Sequence, residues 1–239
     1  MNIITKSSLS ADIDYRDGAV ILIDKPANWT SFDVVNKIRS RLRYKYEQKK
    51  FKVGHNGTLD PLATGLLMIF TGKYTKRIPE EENHDKGYDG IIKLGATTAS
   101  LDSETEEVNI KDYSHISEAA IEDAITTFIG VQQQEIPFYS ATKVGGKRMY
   151  KMARKDQAIE KKFKTVEFHN IEMLNYNPPF IDFSLLCGKG TYVRAFARDL
   201  GVKLDTSAYL YNLRRTSIGK YNVNDALDVE EFCNYLEQN

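Results

Sequence analysis

The sequence predicts an α+β fold, with a mixed, largely antiparallel central sheet and flanking helices. Three observations lead there. Strand-like and helix-like segments are intermixed without the regular strand–helix–strand alternation that builds a parallel sheet. Residues 180–186 alternate, with Ile181, Phe183 and Leu185 against Asp182 and Ser184, which is the period of a half-buried strand. Two other stretches carry apolar residues at every fourth position: Val34, Ile38 and Leu42, then Ile121, Ile125 and Ile129. That spacing marks one face of a helix.

Taken in order, residues 1–17 are polar and are expected on the surface. Ala19-Val20-Ile21-Leu22-Ile23 reads as a short buried strand, stopped by Asp24-Lys25-Pro26 because proline has no N–H for a ladder. Thr30 followed by Asp33 resembles a capping box and starts a helix whose inner face is Val34, Ile38 and Leu42. Lys37/Arg41 and Arg39/Arg43 occupy its other faces. The stretch 54–65, GHNGTLDPLATG, has three glycines and a proline in twelve residues and predicts a loop. Strands are expected at 66–70 and 88–94, and a helix at 117–129 ended by Gly130. Further strands are expected at 165–174 and 180–186. A helix follows Gly190, with Val193, Ala197 and Leu200 inward.

Composition excludes several classes. Hydrophobic residues at 41% and aromatics at 11% are enough for a core, so disorder is excluded. No stretch approaches the roughly 18 apolar residues of a membrane span. The apolar run at 19–23 follows Asp12, Asp14 and Asp17, which is no signal peptide. Cys187 and Cys233 are far apart and lack CxxC spacing, so neither zinc nor a disulfide framework is expected. A reducing cytoplasm fits two buried or idle thiols. The net charge is zero, but the charge is segregated. Residues 37–52 hold eight basic side chains against Glu47, and residues 143–164 hold nine against Asp156 and Glu160. A polyanion responds to such local potential rather than to the sum. Two solvated helix faces would read the same way.

A few residues could carry chemistry. Asp60 stands in the glycine-rich stretch before Pro61, which turns its backbone away from helix. There a carboxylate can serve as nucleophile, base or metal ligand, or merely shape an Asx-turn. His55 has no second histidine or carboxylate at ligand spacing, so no metal site is expected. It reads as a base, a stacking group or a loop-shaping hydrogen-bonder. Lys25 can meet a phosphate or be an ordinary surface lysine. Tyr88 can stack on a base or be half-buried core. Arg194 and Arg198 lie one turn apart after Gly188-Lys189-Gly190, which suits a phosphate near a helix start or a simple carboxylate pair.

Six segments in order carry a resemblance: GAVILIDKPANWTSFDVV, VGHNGTLDPLATGLLMIFTGKYTK, YDGIIKLGATT, PFYSATKVGGKRMYKMAR, CGKGTYVRAFARDLG and YLYNLRRTSIGKY. Together they resemble the bacterial TruB family, the tRNA pseudouridine synthases acting on the uridine of the TΨC loop. The resemblance runs from about Gly18 to Tyr221. It implies the pseudouridine synthase fold, with an active-site cleft along the sheet and a single catalytic domain over 1–239. It also implies roles for matching residues. Asp60 matches the essential aspartate that acts at the ribose, and Tyr88 the tyrosine that stacks on the target uracil. Arg194 matches the arginine that ion-pairs with that aspartate. His55 matches the histidine that contacts displaced loop nucleotides, Lys25 and Leu213 match positions bordering the site, and Tyr192 matches an aromatic beside the arginine.

These roles fit elementary chemistry. A uridine in a folded loop must be flipped out before its C1′ and C5 can be reached. Nothing is oxidised and no group is imported, so no cofactor and no metal are expected. The tRNA T-arm is the expected partner, with Arg39, Arg43, Lys147 and Arg148 among the basic residues gripping its backbone. No membrane, no obligatory protein partner and a monomer are the other expectations. One departure lies at 98–105, where this chain has TASLDSET and the family commonly has T-D-T-x-D-x-x-G. Another is that only eighteen residues follow Tyr221, too few for the C-terminal RNA-binding domain of many relatives. Two rival readings stand beside this one: a non-catalytic RNA-binding module, and a synthase of the same type aimed at another RNA.

Overall fold

The computed structural model describes residues 2–9, 13–140, 142–144, 147–149, 152 and 160–238, with backbone alone at 143–144 and 147–148. Strands and helices intermix as expected, in a mixed α+β architecture. Two compact units form, one from the residues up to Tyr88 together with those from Leu213 onward, the other from Asp89 to Asn212.

In the first unit the strand Thr64–Thr71 is central. It runs antiparallel to Val20–Lys25, with Val20 opposite Phe70 and Lys25 opposite Gly65. Its other edge pairs with Val53–Asn56 and, in parallel, with Arg214 and Arg215. All but its first residue is buried. The reason is cover on both faces. Leu67 and Ile69 pack with Val34, Ile38, Leu42 and Phe232, whereas Leu66, Met68 and Phe70 pack with Ile218, Val223 and Ala226. A strand covered on both sides reads as an unbroken apolar run rather than an alternating one.

The helix Ser31–Lys45 begins with the full capping box, Thr30 and Asp33 each closing on the other's backbone N–H. Such a cap is worth about 1 kcal/mol. Its buried face is Val34, Val35, Ile38 and Leu42, each contributing roughly 1.5–3 kcal/mol when fully withdrawn from water.

The second unit is built on Phe163–Asn177, antiparallel to Phe180–Cys187 and to Gly130–Glu135. Helix Val193–Lys203 presents Phe196 to Phe128, Phe168 and Phe183, with ring centroids 5.3, 5.5 and 5.9 Å apart. The expected inner residues Val193, Ala197 and Leu200 are all buried.

Three sequence expectations need correction, and one helix was not anticipated. Residues 1–17 are not simply surface: Ile3–Ile4 pairs in parallel with Val20 and Ile21, and Ile4 and Tyr15 are buried. The stretch 54–65 is not all loop, because Gly54, His55 and Asn56 pair with Phe70, Ile69 and Met68; the loop proper is 57–63. The helix expected to reach Ile129 ends at Thr126, and Gly130 opens the strand Gly130–Glu135 instead. That strand is rich in glutamine, so side-chain polarity hid what backbone pairing with Phe163–Phe168 decides. Lastly, the acidic C-terminal stretch forms the helix Val229–Gln238, with Val229, Phe232, Cys233 and Leu236 buried at helical spacing. Both cysteines are buried, reduced thiols, as expected.

Candidate active site

The first unit holds Asp60, on the loop 57–63. The Asp60 backbone carbonyl accepts a 3.1 Å hydrogen bond from the Ala63 N–H, closing a turn with Pro61 at the position where its fixed φ is favoured. The loop is held at several points. Ser31 Oγ donates to the Leu59 carbonyl at 3.1 Å and accepts from the Leu59 N–H at 2.8 Å. Arg215 donates from Nε to the Leu66 carbonyl at 2.7 Å and from Nη2 to the Gly57 carbonyl at 3.1 Å. Gly65 has φ +103°, and a Cβ there would strike the Arg215 backbone. Glycine is required by both conformation and space.

Lys25 was expected to border the site and meet RNA. Its side chain is fully buried, and its Nζ donates to the carbonyls of Pro26 (2.8 Å), Trp29 (2.6 Å) and Pro61 (3.3 Å). Burial pushes its pKa down to about 8, with Asp60 pulling the other way and Arg215 adding to the fall. It therefore acts on the backbone that carries Asp60 rather than on a phosphate. His55 sits on Val53–Asn56, and its Nδ1 has no hydrogen bond among the described residues. Burial first, then Arg215, lowers its pKa below the ordinary value of 6.5. A neutral ring suits stacking or a neutral hydrogen bond, not a phosphate ion pair. Tyr88 and Leu213 are both buried, at 8% and 6% exposure.

The second unit holds Arg194 and Tyr192. Tyr192 caps helix Val193–Lys203; its N–H donates to Gln134 Oε1 at 2.8 Å, and its hydroxyl lies 3.1 Å from Thr142 Oγ1. Arg194 is a buried cation in the first turn, where the helix dipole disfavours positive charge. Its surroundings offset this. Nη1 donates to the Ser100 carbonyl at 2.7 Å, Nη2 to the Tyr139 carbonyl at 2.9 Å, and Nε lies 3.6 Å from Asp102 Oδ2. Asp102 is itself buried and accepts from Ser100 Oγ at 2.5 Å and the Glu104 N–H at 3.0 Å. The adjacent Leu101 has φ +64°, a conformation that an ordinary side chain adopts only where its surroundings enforce it.

Of the basic residues, Arg39 donates to Asn36 Oδ1 and the Val53 carbonyl, and Arg43 donates to the Gln48 carbonyl at 3.4 Å while remaining exposed. Lys37 and Arg41 are ion-paired with Glu230 and Glu237. Lys147 and Arg148 form a short strand paired with Lys143–Val144; their side chains, and Lys151, Arg154 and Lys155, lie outside the described residues. Ser31, Asp102 and Arg215 carry no site signal in the sequence. Asp102 fell in the departing segment 98–105, and Arg215 stood in the quoted NLRR, but a buried hydrogen-bonding role leaves no periodic trace.

Comparison with known structures defines the fold first. A solved structure titled as a Cbf5-Nop10-Gar1 complex matches with a TM-score of 0.70 at 23% identity, covering 97% of this chain and 58% of that one. The chain thus spans a little over half the length of that structure. A model of the TruB family pseudouridylate synthase N-terminal domain matches residues 43–193. The tRNA pseudouridine synthase B of Phocaeicola vulgatus is 47% identical over 226 residues, 95% of this chain and 96% of the relative. The protein of that name from Chloroherpeton thalassium is 49% identical over 216 residues, 90% and 89% of the two chains. The chain belongs to the TruB family of pseudouridylate synthases.

Proposed function

We propose that this protein is a tRNA pseudouridine synthase converting the uridine of the TΨC loop to pseudouridine. The observation that carries the reading is 47% identity across 95% of the chain to a relative of that name; the motifs holding Asp60, Tyr88 and Arg194 support it. In the reaction the C1′–N1 bond breaks, the uracil turns, and a C1′–C5 bond forms. The C5 proton leaves and N1 gains one, so nothing is oxidised and no co-reactant is needed.

The Asp60 carboxylate acts at the ribose, on a turn held by Ser31, Lys25 and Arg215. Tyr88 is the platform for the flipped uracil, and Arg194 is the arginine that the family resemblance pairs with the aspartate. His55, neutral and with a spare ring nitrogen, contacts the displaced loop nucleotides. Tyr192 flanks Arg194. No helix among the described residues is long and apolar enough to cross a membrane. We place the activity in the cytoplasm, on the T-arm, by a monomer with no obligatory protein partner; two reduced, buried thiols fit a reducing compartment.

The test is tritium release from tRNA labelled at uridine C5, repeated with the target base replaced by cytidine. Release should vanish on replacement. Release that persists would place the substrate uridine elsewhere.

A further inference from the structure

Phe32 stands at the second position of helix Ser31–Lys45 and is 58% exposed. The Arg39 guanidinium lies 5.6 Å from its ring centroid. That guanidinium is fixed by hydrogen bonds of 2.8 Å to Asn36 Oδ1 and 3.0 Å to the Val53 carbonyl. On the same helix start opens a cleft of about 480 Å³ lined by Asn28, Trp29, Asp33, Asn36 and Lys37. Its charges are already engaged. Asp33 accepts from the Thr30 N–H and hydroxyl, at 2.8 and 2.6 Å, and Lys37 pairs with Glu230 at 2.8 Å. The surface therefore offers aromatic rings, a flat guanidinium and side-chain amides rather than net charge.

That combination matches an unpaired nucleobase. Bases stack on aromatic and guanidinium planes, and amides meet their edges. A phosphate would call for unengaged cations, and a protein partner for a broad continuous apolar patch. The position is tied to Asp60 without a hinge. Ser31, next to Phe32, is hydrogen-bonded in both directions to Leu59, next to Asp60. Arg39 is tied to Val53, two residues before His55.

We propose that Phe32, backed by Arg39, is a stacking platform for an unpaired base of the same RNA, outside the pocket of the target uridine, and that it governs RNA affinity rather than chemistry. The proposal rests on the RNA-modifying reading above. The experiment measures binding of an unmodified T-arm stem–loop and single-turnover tritium release for the wild type, Phe32→Ala and Phe32→Trp. Phe32→Ala should weaken binding about 5- to 30-fold, the lower range for base–aromatic stacking, with the rate at saturating RNA unchanged. Phe32→Trp should restore affinity, and its emission, after subtraction of the Trp29 signal in wild type, should change on adding RNA. Equal affinity in wild type and Phe32→Ala overturns the platform. Wild type that binds RNA but releases no tritium overturns the catalytic reading instead, and the two failures are thereby separate. Phe32 is exposed, so an unchanged melting temperature should accompany the alanine variant.

Discussion

At the scale of single residues, the first unit surrounds its carboxylate loop with buried cations whose donors point at backbone. Lys25 is the clearest case: a fully buried ammonium donating to three carbonyls, one of them Pro61, next to Asp60. Its pKa of about 8, against 10.5 for an ordinary lysine, means the fold disfavours the charged form. Between those two values the unfolded chain holds more protons, so this group adds stability as pH rises from about 8 towards 10.5, and adds none below. Its effect on activity runs the other way. A neutral amine has two N–H donors for three carbonyls, and the long 3.3 Å contact to Pro61 is the first to go. Activity should therefore fall as pH passes about 8; Asp24, Asp33, Asp60 and Arg215 are the charges around Lys25. A pH profile of the single-turnover rate checks this: Lys25→Met should be slower throughout and should lack the alkaline fall. An alkaline fall that survives in Lys25→Met assigns it to another group. None of this was legible beforehand, because a lysine between an aspartate and a proline looks like a surface residue.

At the scale of elements, the legible features were those with a period or a cap. The Thr30–Asp33 box was readable because both partners are local, and Thr30→Ala should lower the melting temperature by roughly 2–4 °C, about 1 kcal/mol for a chain of this size. The helix starting at Val193 was readable from Val193, Ala197 and Leu200. Elements fixed by distant pairing were not readable: Ile3–Ile4 is a strand only because Val20 and Ile21 accept it. The helix Val229–Gln238 was obscured by its acids, although Val229, Phe232, Cys233 and Leu236 carry a helical spacing. The central strand Thr64–Thr71 owes its start to Gly65, which faces the Arg215 backbone at φ +103°. Gly65→Ala combines a strained conformation, roughly 1–3 kcal/mol, with a backbone clash. Thermal unfolding should show a loss of at least about 5 °C; a wild-type melting temperature would mean the strand can shift freely.

At the scale of the whole molecule, a net charge of zero hides a segregated potential, and the structure redistributes what the sequence suggested. Of the basic run at 37–52, Lys37 and Arg41 are answered by Glu230 and Glu237. Lys50 and Lys52 instead line a surface cavity of about 340 Å³ with Arg16, Lys73 and Lys76. Reversing Lys50 and Lys52 to glutamate should weaken binding to all RNA sequences alike and lower the slope of log affinity against log salt by roughly 0.7–0.9 per lost phosphate contact. Reversing Lys37, already paired, should change the slope less. Equal slopes for the two variants in a salt titration would remove this distinction. The family was legible from six ordered segments, whereas Asp102, a buried partner of Arg194, lay where this chain departs from the family's pattern. The proposed reaction rests on the Asp60 carboxylate. Asp60→Asn keeps the side chain's shape and removes its charge, so the most direct measurement is single-turnover tritium release beside tRNA binding in that variant. Wild-type affinity with isomerisation abolished is expected; isomerisation at a rate near wild type would contradict a catalytic role for Asp60.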